Sequence, residues 1–259
     1  MITSARNPKI QWVRKLQSQP RLRREAGAFV VEGVRLAEEA LASGWEAQLV
    51  LHSPELDERG RQIVEGFTRG GVPVEAVSTE VLRAASDTQT PQGILAVLSR
   101  QTLPPPQHAD IIFIPDGVRD PGNLGSMLRS AAAAGVDLVC LPEGGVDPWA
   151  PKVLRAAMGA HFHLPLQNLS WEEVGETLKG AGIRTYLADA NGGTSYTQVN
   201  YRSPVALIIG GEAEGASPPA LRLADERVHI PMPGGSESLN AAAAAAILLF
   251  EVVRQRRSG

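Results

Sequence analysis

Four apolar runs in the second half of the chain constrain its fold most: DIIFIPD (110–116), VDLVCLP (136–142), IRTYLAD (183–189) and PVALIIGG (204–211). Each leads into a loop with Gly, Asp or Pro. Helical patterns lie between them, near 122–134, 149–160 and 171–181, and a further one over 238–256 closes the chain. Near-continuous apolar strands separated by helices indicate a parallel sheet covered on both faces. Ligand sites in such α/β sheets lie at the carboxyl ends of the strands.

Three consecutive prolines in QTLPPPQHA (101–109) favour an extended segment and cannot continue a helix, so this stretch reads as a linker. Before it, GVRLAEEALASG (33–44) has helical spacing, and EAQLVL (46–51), VPVEAV (72–77) and GILAVL (93–98) look like short strands. The expected organisation is a small α/β domain over 1–100, a linker over 101–109 and a parallel-sheet domain over 110–259. A length of 259 residues suits one large or two small domains, and 43% apolar content excludes disorder throughout.

The longest apolar stretch, AAAAAAILLF (241–250), is too short and too alanine-rich to span a bilayer, and the first fifteen residues have no secretory pattern. Cys140 is the single cysteine, which excludes an internal disulfide and a Cys-based zinc site. It lies in an apolar run and reads as core. His161-x-His163 would place two imidazoles on one side of a strand, but no further ligand is near in sequence, so no metal site is expected. A cytoplasmic protein is the simplest expectation. Net charge is −3, yet residues 1–30 hold seven basic side chains and one acid. Such an arm can contact phosphates, and it can equally be a solvated helix face. Trp12 within it could stack on a base or anchor the first helix.

Three segments depart from the plain α/β pattern. In PDGVRDPGNLGSMLRSAAAAG (115–135) a turn enters a helix, with Asn123 as candidate N-cap and Arg129 six residues on, where a guanidinium can hold a phosphate. In LIIGGEAEGASPP (207–219) a buried strand opens into Gly210, Gly211, Glu212 and Gly215. This is neither a P-loop nor GxGxxG, and a guest with cationic or donor character suits its two glutamates. In VHIPMPGGSESLNAAAAAAILLFE (228–251) a short strand runs into a glycine loop and a helix start, where Ser238 is a candidate cap.

Together these segments resemble the three motifs of the SpoU/TrmH family of RNA ribose 2′-O-methyltransferases, within the SPOUT superfamily. The likeness rests on Asn123–x5–Arg129–x5–Gly135, on Gly210–x–Glu212–x–x–Gly215, and on Ile-Pro-Met followed by Ser238-Leu239-Asn240 eight residues after Ile230. It covers residues 110–259. The phrase AFVVEGVRLAEEAL (28–41) is similar to the start of the family's L30e-like substrate-binding domain. After Leu239 the chain has Asn-Ala-Ala where the family usually has Asn-Val-Ser.

The resemblance implies a carboxyl half folded into a deep trefoil knot that binds S-adenosylmethionine, with Gly210, Gly211, Ile230 and Leu239 at the cofactor. It implies methyl transfer to a ribose 2′-hydroxyl, rRNA being favoured over tRNA, by a homodimer. Arg129 matches the catalytic arginine, and Asn123, Glu212, Ser238 and Asn240 would complete the site. Arginine is a poor base because its pKa lies above about 12, so a phosphate-binding or alkoxide-stabilising role suits Arg129. Arg6, Lys9, Arg21, Arg23 and Arg24 are the expected RNA contacts of the arm. The competing reading is a non-catalytic RNA-binding protein that retains the fold. A nucleotide-binding phosphotransferase lacks its P-loop here, and no G-x-S-x-G elbow supports a serine hydrolase.

Overall fold

Most of the expected apolar runs become strands of two separate sheets. The computed structural model describes residues 1–211 and 215–257. The chain divides into two compact units, Met1–Gln101 with Asp147–Phe162, and Thr102–Val146 with the chain from His163 onward.

The first unit begins with α1 (Pro8–Ser18) and α2 (Pro20–Ala26), each opened by a proline whose missing N–H costs nothing at a helix start. There follow β1 (Ala28–Glu32), α3 (Val34–Ala42), β2 (Ala47–His52), α4 (Glu58–Arg69), β3 (Val74–Ala76), α5 (Thr79–Ala85) and β4 (Ile94–Ser99). The four strands form one mixed sheet in the order β1-β4-β2-β3. Ile10, Val13 and Leu16 of α1 and Val81, Leu82 and Ala85 of α5 bury against Val30, Leu49, Leu51, Leu95 and Val97, and Trp12 packs on the edge of this cluster. Trp12 is thus at least partly a helix anchor.

The second unit opens with β5 (Ile111–Asp116), α6 (Pro121–Ala134) and β6 (Leu138–Leu141). After α7 (Pro151–Ala157), which belongs to the first unit, it continues with β7 (Leu166–Asn168), α8 (Trp171–Ala181), β8 (Arg184–Ala188), β9 (Thr194–Ser195), β10 (Val205–Gly210), α9 (Pro218–Leu223), β11 (Glu226–His229) and α10 (Ala241–Arg257). Its sheet is parallel throughout, in the order β7-β6-β5-β10-β8-β11-β9. β10 lies between β5 and β8 in unbroken register, Val205 opposite Ile111 and Gly210 opposite Asp116. One face packs Ile112, Ile114, Ala206, Ile208 and Leu187 beneath Val174 and Leu178 of α8, and α6 and α10 pack on each other and on β5 and β10. Strand order reverses direction beside β5, and the strand ends there form the crevice where ligands of open α/β sheets sit.

The expected strand over 228–232 is instead β11 at Glu226–His229, and Pro231 just beyond it has no ladder donor to give. The helix expected from 238 begins at Ala241. His161 does not lie on a strand. It is in a 3-10 turn, Ala160–Phe162, buried with its Nε2 2.8 Å from the Pro148 carbonyl, while His163 is exposed. Desolvation holds the His161 imidazole neutral by lowering its pKa to about 4.

Segment 147–162 completes the core of the first unit. Trp149 packs on Phe29, Trp45 and His161 at centroid distances of 4.6, 6.4 and 5.1 Å, and the Arg100 guanidinium lies 5.4 Å over its ring. Arg23 holds the segment's start. Its Nε and Nη2 bond Asp147 Oδ2 at 2.8 and 2.7 Å, and Nη1 donates to the carbonyls of Leu16 and Gln17. Arg23, expected among the RNA contacts, is therefore buried with its donors satisfied inside the unit. Among the described residues no helix is long and apolar enough to cross a membrane.

Candidate functional site

The site is assembled at the carboxyl ends of β5, β10, β8 and β11. β5 ends on Asp116, a buried carboxylate at the end of an otherwise apolar strand. Its Oδ2 accepts from Ser217 N at 2.6 Å, across a sequence separation of 101 residues. Sequence reasoning passed over this residue, although a charge closing an apolar strand was a visible signal. It ties the far side of the glycine loop back to the end of β5.

After β5 the chain turns into α6. The N-cap is Asp120, whose Oδ1 accepts from Asn123 N at 2.8 Å, and Pro121 occupies the first turn. Asn123 was the expected cap, but it is the third residue of the helix and Asp120 holds the cap position. Arg129 lies further along α6 and is exposed. Six residues rotate a helix by about 600° and advance it about 9 Å, so Arg129 is offset from Asn123 both along and around the axis.

The end of β10 is built on glycine for a steric reason. A Cβ on Gly210 would lie 2.6 Å from the Gly215 carbonyl carbon, and one on Gly211 would lie 2.7 Å from the Gly117 carbonyl oxygen. Gly211 and Gly215 bridge each other. Glu212, expected in the site, lies outside the described residues.

The third segment supplies the start of α10. Here too the cap differs from expectation: Asn240 Oδ1, not Ser238, accepts from Ala242 N and Ala243 N at 2.9 and 3.2 Å. Asn240 Nδ2 donates to Asn123 Oδ1 at 2.9 Å, joining residues 117 apart. One side chain thus fixes the helix start with its oxygen and reaches the first segment with its nitrogen.

The ends of β8, β10 and β11 and the start of α10 line a cavity of about 690 Å³, within the range of small-molecule sites, and Asn123 and Arg129 are not among its described lining residues. Gly210, Gly211, Ile230, Ser238, Leu239 and Asn240 all line it. Aliphatic walls from Ile209, Ile230, Met232 and Leu239 beside glycine backbone suit a flat base, and the polar side chains among the lining residues suit a charged tail. Size and lining therefore fit an adenosyl cofactor.

The sequence profile of the SpoU rRNA methylase family matches residues 110–250. The chain belongs to the SpoU rRNA methylase family. An MRM3-like substrate-binding domain matches residues 7–96. The chain is 34% identical over 251 residues to a 23S rRNA (guanosine(2553)-2′-O)-methyltransferase of Bacillus subtilis, covering 97% of this chain and 98% of that one. It is 34% identical over 302 residues to human mitochondrial rRNA methyltransferase 3, covering 93% of this chain and 71% of the relative. The SpoU methyltransferase AviRb of Streptomyces viridochromogenes, solved with AdoMet, superposes with a TM-score of 0.87 at 30% identity, covering 98% of this chain and all of that one.

Residues of this SpoU-family chain that were expected at RNA lie in the first unit. Arg6 and Arg24 are exposed, Lys9 is exposed and ion-paired with Glu75, and Arg21 bonds Glu25 at 2.6 Å. Arg23 is withdrawn, as described above. Cys140 is buried in β6 and its thiol is pushed up to about 12 by desolvation, which fits core packing rather than reactivity.

Proposed function

We propose that this chain transfers a methyl group from S-adenosylmethionine to a ribose 2′-hydroxyl of rRNA. The observation that carries the reading is the hydrogen bond to Asn123 from Asn240, a residue that lines the cavity, which draws the first and third motifs to one point. The activities named for the relatives support the reaction and its substrate class.

The cofactor would supply an electrophilic methyl on a sulfonium. Gly210, Gly211, Ile230 and Leu239 would hold the adenosyl group, largely through backbone atoms and aliphatic walls. Asn123 and Asn240 orient the groups around the reacting hydroxyl. A guanidinium is a hydrogen-bond donor and a poor proton acceptor, so Arg129 anchors a substrate phosphate or stabilises the forming alkoxide, and that phosphate or a water takes the proton. Ser238 and Glu212 complete the hydrogen-bonding set. Alignment of the hydroxyl on the methyl carbon supplies a large share of the rate gain, beside removal of the hydroxyl proton.

The same reading divides the labour into an L30e-like RNA-binding part over 1–100, a linker over 101–109 and a methyltransferase part over 110–259, with 147–162 lent to the first unit. Arg6, Lys9, Arg21 and Arg24 provide its phosphate contacts. Insertion of β10 between β5 and β8, followed by return of α10 onto α6, supports a knotted carboxyl half. Phe250, 47% exposed on α10, supports pairing of two copies through that helix.

The test is incubation with radiolabelled S-adenosylmethionine and separate unmodified rRNA and tRNA pools, with Arg129→Ala as control. Label in an alkali-resistant rRNA dinucleotide, lost in the variant, is the expected result. Label in tRNA alone overturns the substrate class, and cofactor binding without labelled RNA, repeated on ribosomal assembly intermediates, overturns the reaction.

A further inference from the structure

The cavity at the strand ends has one carboxylate and one cation among its described lining residues, Asp189 and Arg227. Both stand on its β8/β11 side, away from the Asn123–Asn240 contact. β8 and β5 are separated in the sheet by β10, so the end of β8 that leads to Asp189 and the end of β5 that leads to the first motif lie about 10 Å apart.

Asp189 is held in place by its own turn. Its N–H donates to Val228 O at 3.0 Å, its carbonyl accepts from Gly192 N at 2.8 Å, and Oδ1 accepts from Asn191 N at 2.9 Å. That leaves Oδ2, which faces Arg227 Nη1 at 3.4 Å, longer than a strong charge-assisted bond. The Asp189 side chain is 23% exposed and that of Arg227 57%. The two charges are adjacent but loosely joined, both side chains are partly exposed, and both residues line the cavity.

We infer that Asp189 and Arg227 form the receptor for the zwitterionic amino-acid end of the cofactor, Asp189 accepting from its α-ammonium and Arg227 donating to its α-carboxylate. The inference rests on the cofactor reading above and adds which side chains recognise which end. The remaining walls near these residues are aliphatic or glycine and suit the adenosyl part, so the two formal charges of the tail meet the two side-chain charges available. A zwitterion replaces one weak ion pair by two charge-assisted hydrogen bonds, leaving neither protein charge unpaired.

Calorimetry on the intact protein with three adenosyl ligands tests this without turnover. S-adenosylhomocysteine has both tail groups. 5′-(3-aminopropylthio)-5′-deoxyadenosine keeps the amine and lacks the carboxylate. 5′-Methylthioadenosine lacks both. The variants are Arg227→Gln, on an exposed strand position, and Asp189→Asn, which keeps an Oδ1 acceptor for the turn. The wild type should bind S-adenosylhomocysteine at least about tenfold more tightly than 5′-methylthioadenosine. Asp189→Asn should weaken both amine-bearing ligands about tenfold or more, Arg227→Gln should weaken S-adenosylhomocysteine alone, and neither should move 5′-methylthioadenosine by more than about twofold. Variants that bind S-adenosylhomocysteine like the wild type overturn the proposal. So do variants that weaken all three ligands equally, since the two residues would then serve the ribose or base. A wild type that binds none of the three overturns the cofactor reading itself.

Discussion

Replacing Arg23 with alanine should remove stability from the first unit and leave its affinity for RNA largely unchanged. The guanidinium is 3% exposed and its donors meet Asp147 Oδ2 and the carbonyls of Leu16 and Gln17. Alanine leaves the Asp147 carboxylate, 16% exposed, without its counter-ion and two carbonyls at the end of α1 without a donor. Removing one partner of a buried ion pair costs about 3–5 kcal/mol. Partial exposure of Asp147, and its surviving bond from Trp149 N at 3.0 Å, place this case at the lower end, about 3 kcal/mol. The loss is also local, because it unpins segment 147–162 from the core around Trp149.

Urea unfolding followed by tryptophan fluorescence reads this directly, since Trp12, Trp45 and Trp149 lie in the first unit and Trp171 in the second. With a slope of about 2 kcal/mol per molar urea, the first-unit midpoint should fall by about 1.5 M. Arg21→Ala, at an exposed pair with Glu25, should not move it. The salt dependence of RNA binding should show the converse, with Arg6, Arg21 and Arg24 variants flattening the slope and Arg23→Ala leaving it unchanged. An Arg23→Ala midpoint within about 0.3 M of wild type, together with a flattened salt slope, would refute the reasoning.

Four further outcomes are expected. His161 gives no pH dependence above about pH 6.5. As pH falls from there to about 4 the unfolded chain binds the proton first, so stability should drop by about 3 kcal/mol, and His161→Gln should lack that component in pH-dependent melts. Cys140 should resist thiol reagents in the folded protein and label at the rate of global opening, which timed alkylation measures. Asn240→Ala loses the α10 cap and the contact to Asn123, so it should cost about 1–2 kcal/mol in thermal melts and a much larger factor in methyl transfer. Gly210→Ala must open the closure between Gly211 and Gly215, costing about 1–3 kcal/mol and weakening S-adenosylhomocysteine binding in calorimetry.

The strands of the second sheet could be read from the sequence because burial on both faces writes itself as uninterrupted apolar residues, as in β5 and β10. The three motifs could be read because their spacing encodes which residues stand at strand ends. What could not be read was each polar side chain's choice among partners. At the start of α6, Asp120 and Asn123 are both good caps by type, and only backbone geometry selects Asp120. At α10, Ser238 and Asn240 compete in the same way, and the winner also bonds a residue 117 positions away. Arg23 is the extreme case, since within a run of arginines nothing local separates it from Arg21 or Arg24. Its difference comes from Asp147, 124 residues later, which a charge count of the first thirty residues cannot contain. The same reasoning explains why Asp189 and Arg227 drew no attention: neither belongs to a motif, and they become a site only when β8 and β11 lie side by side. Chemistry set by spacing is visible in one dimension, whereas chemistry set by pairing across a sheet needs the fold first.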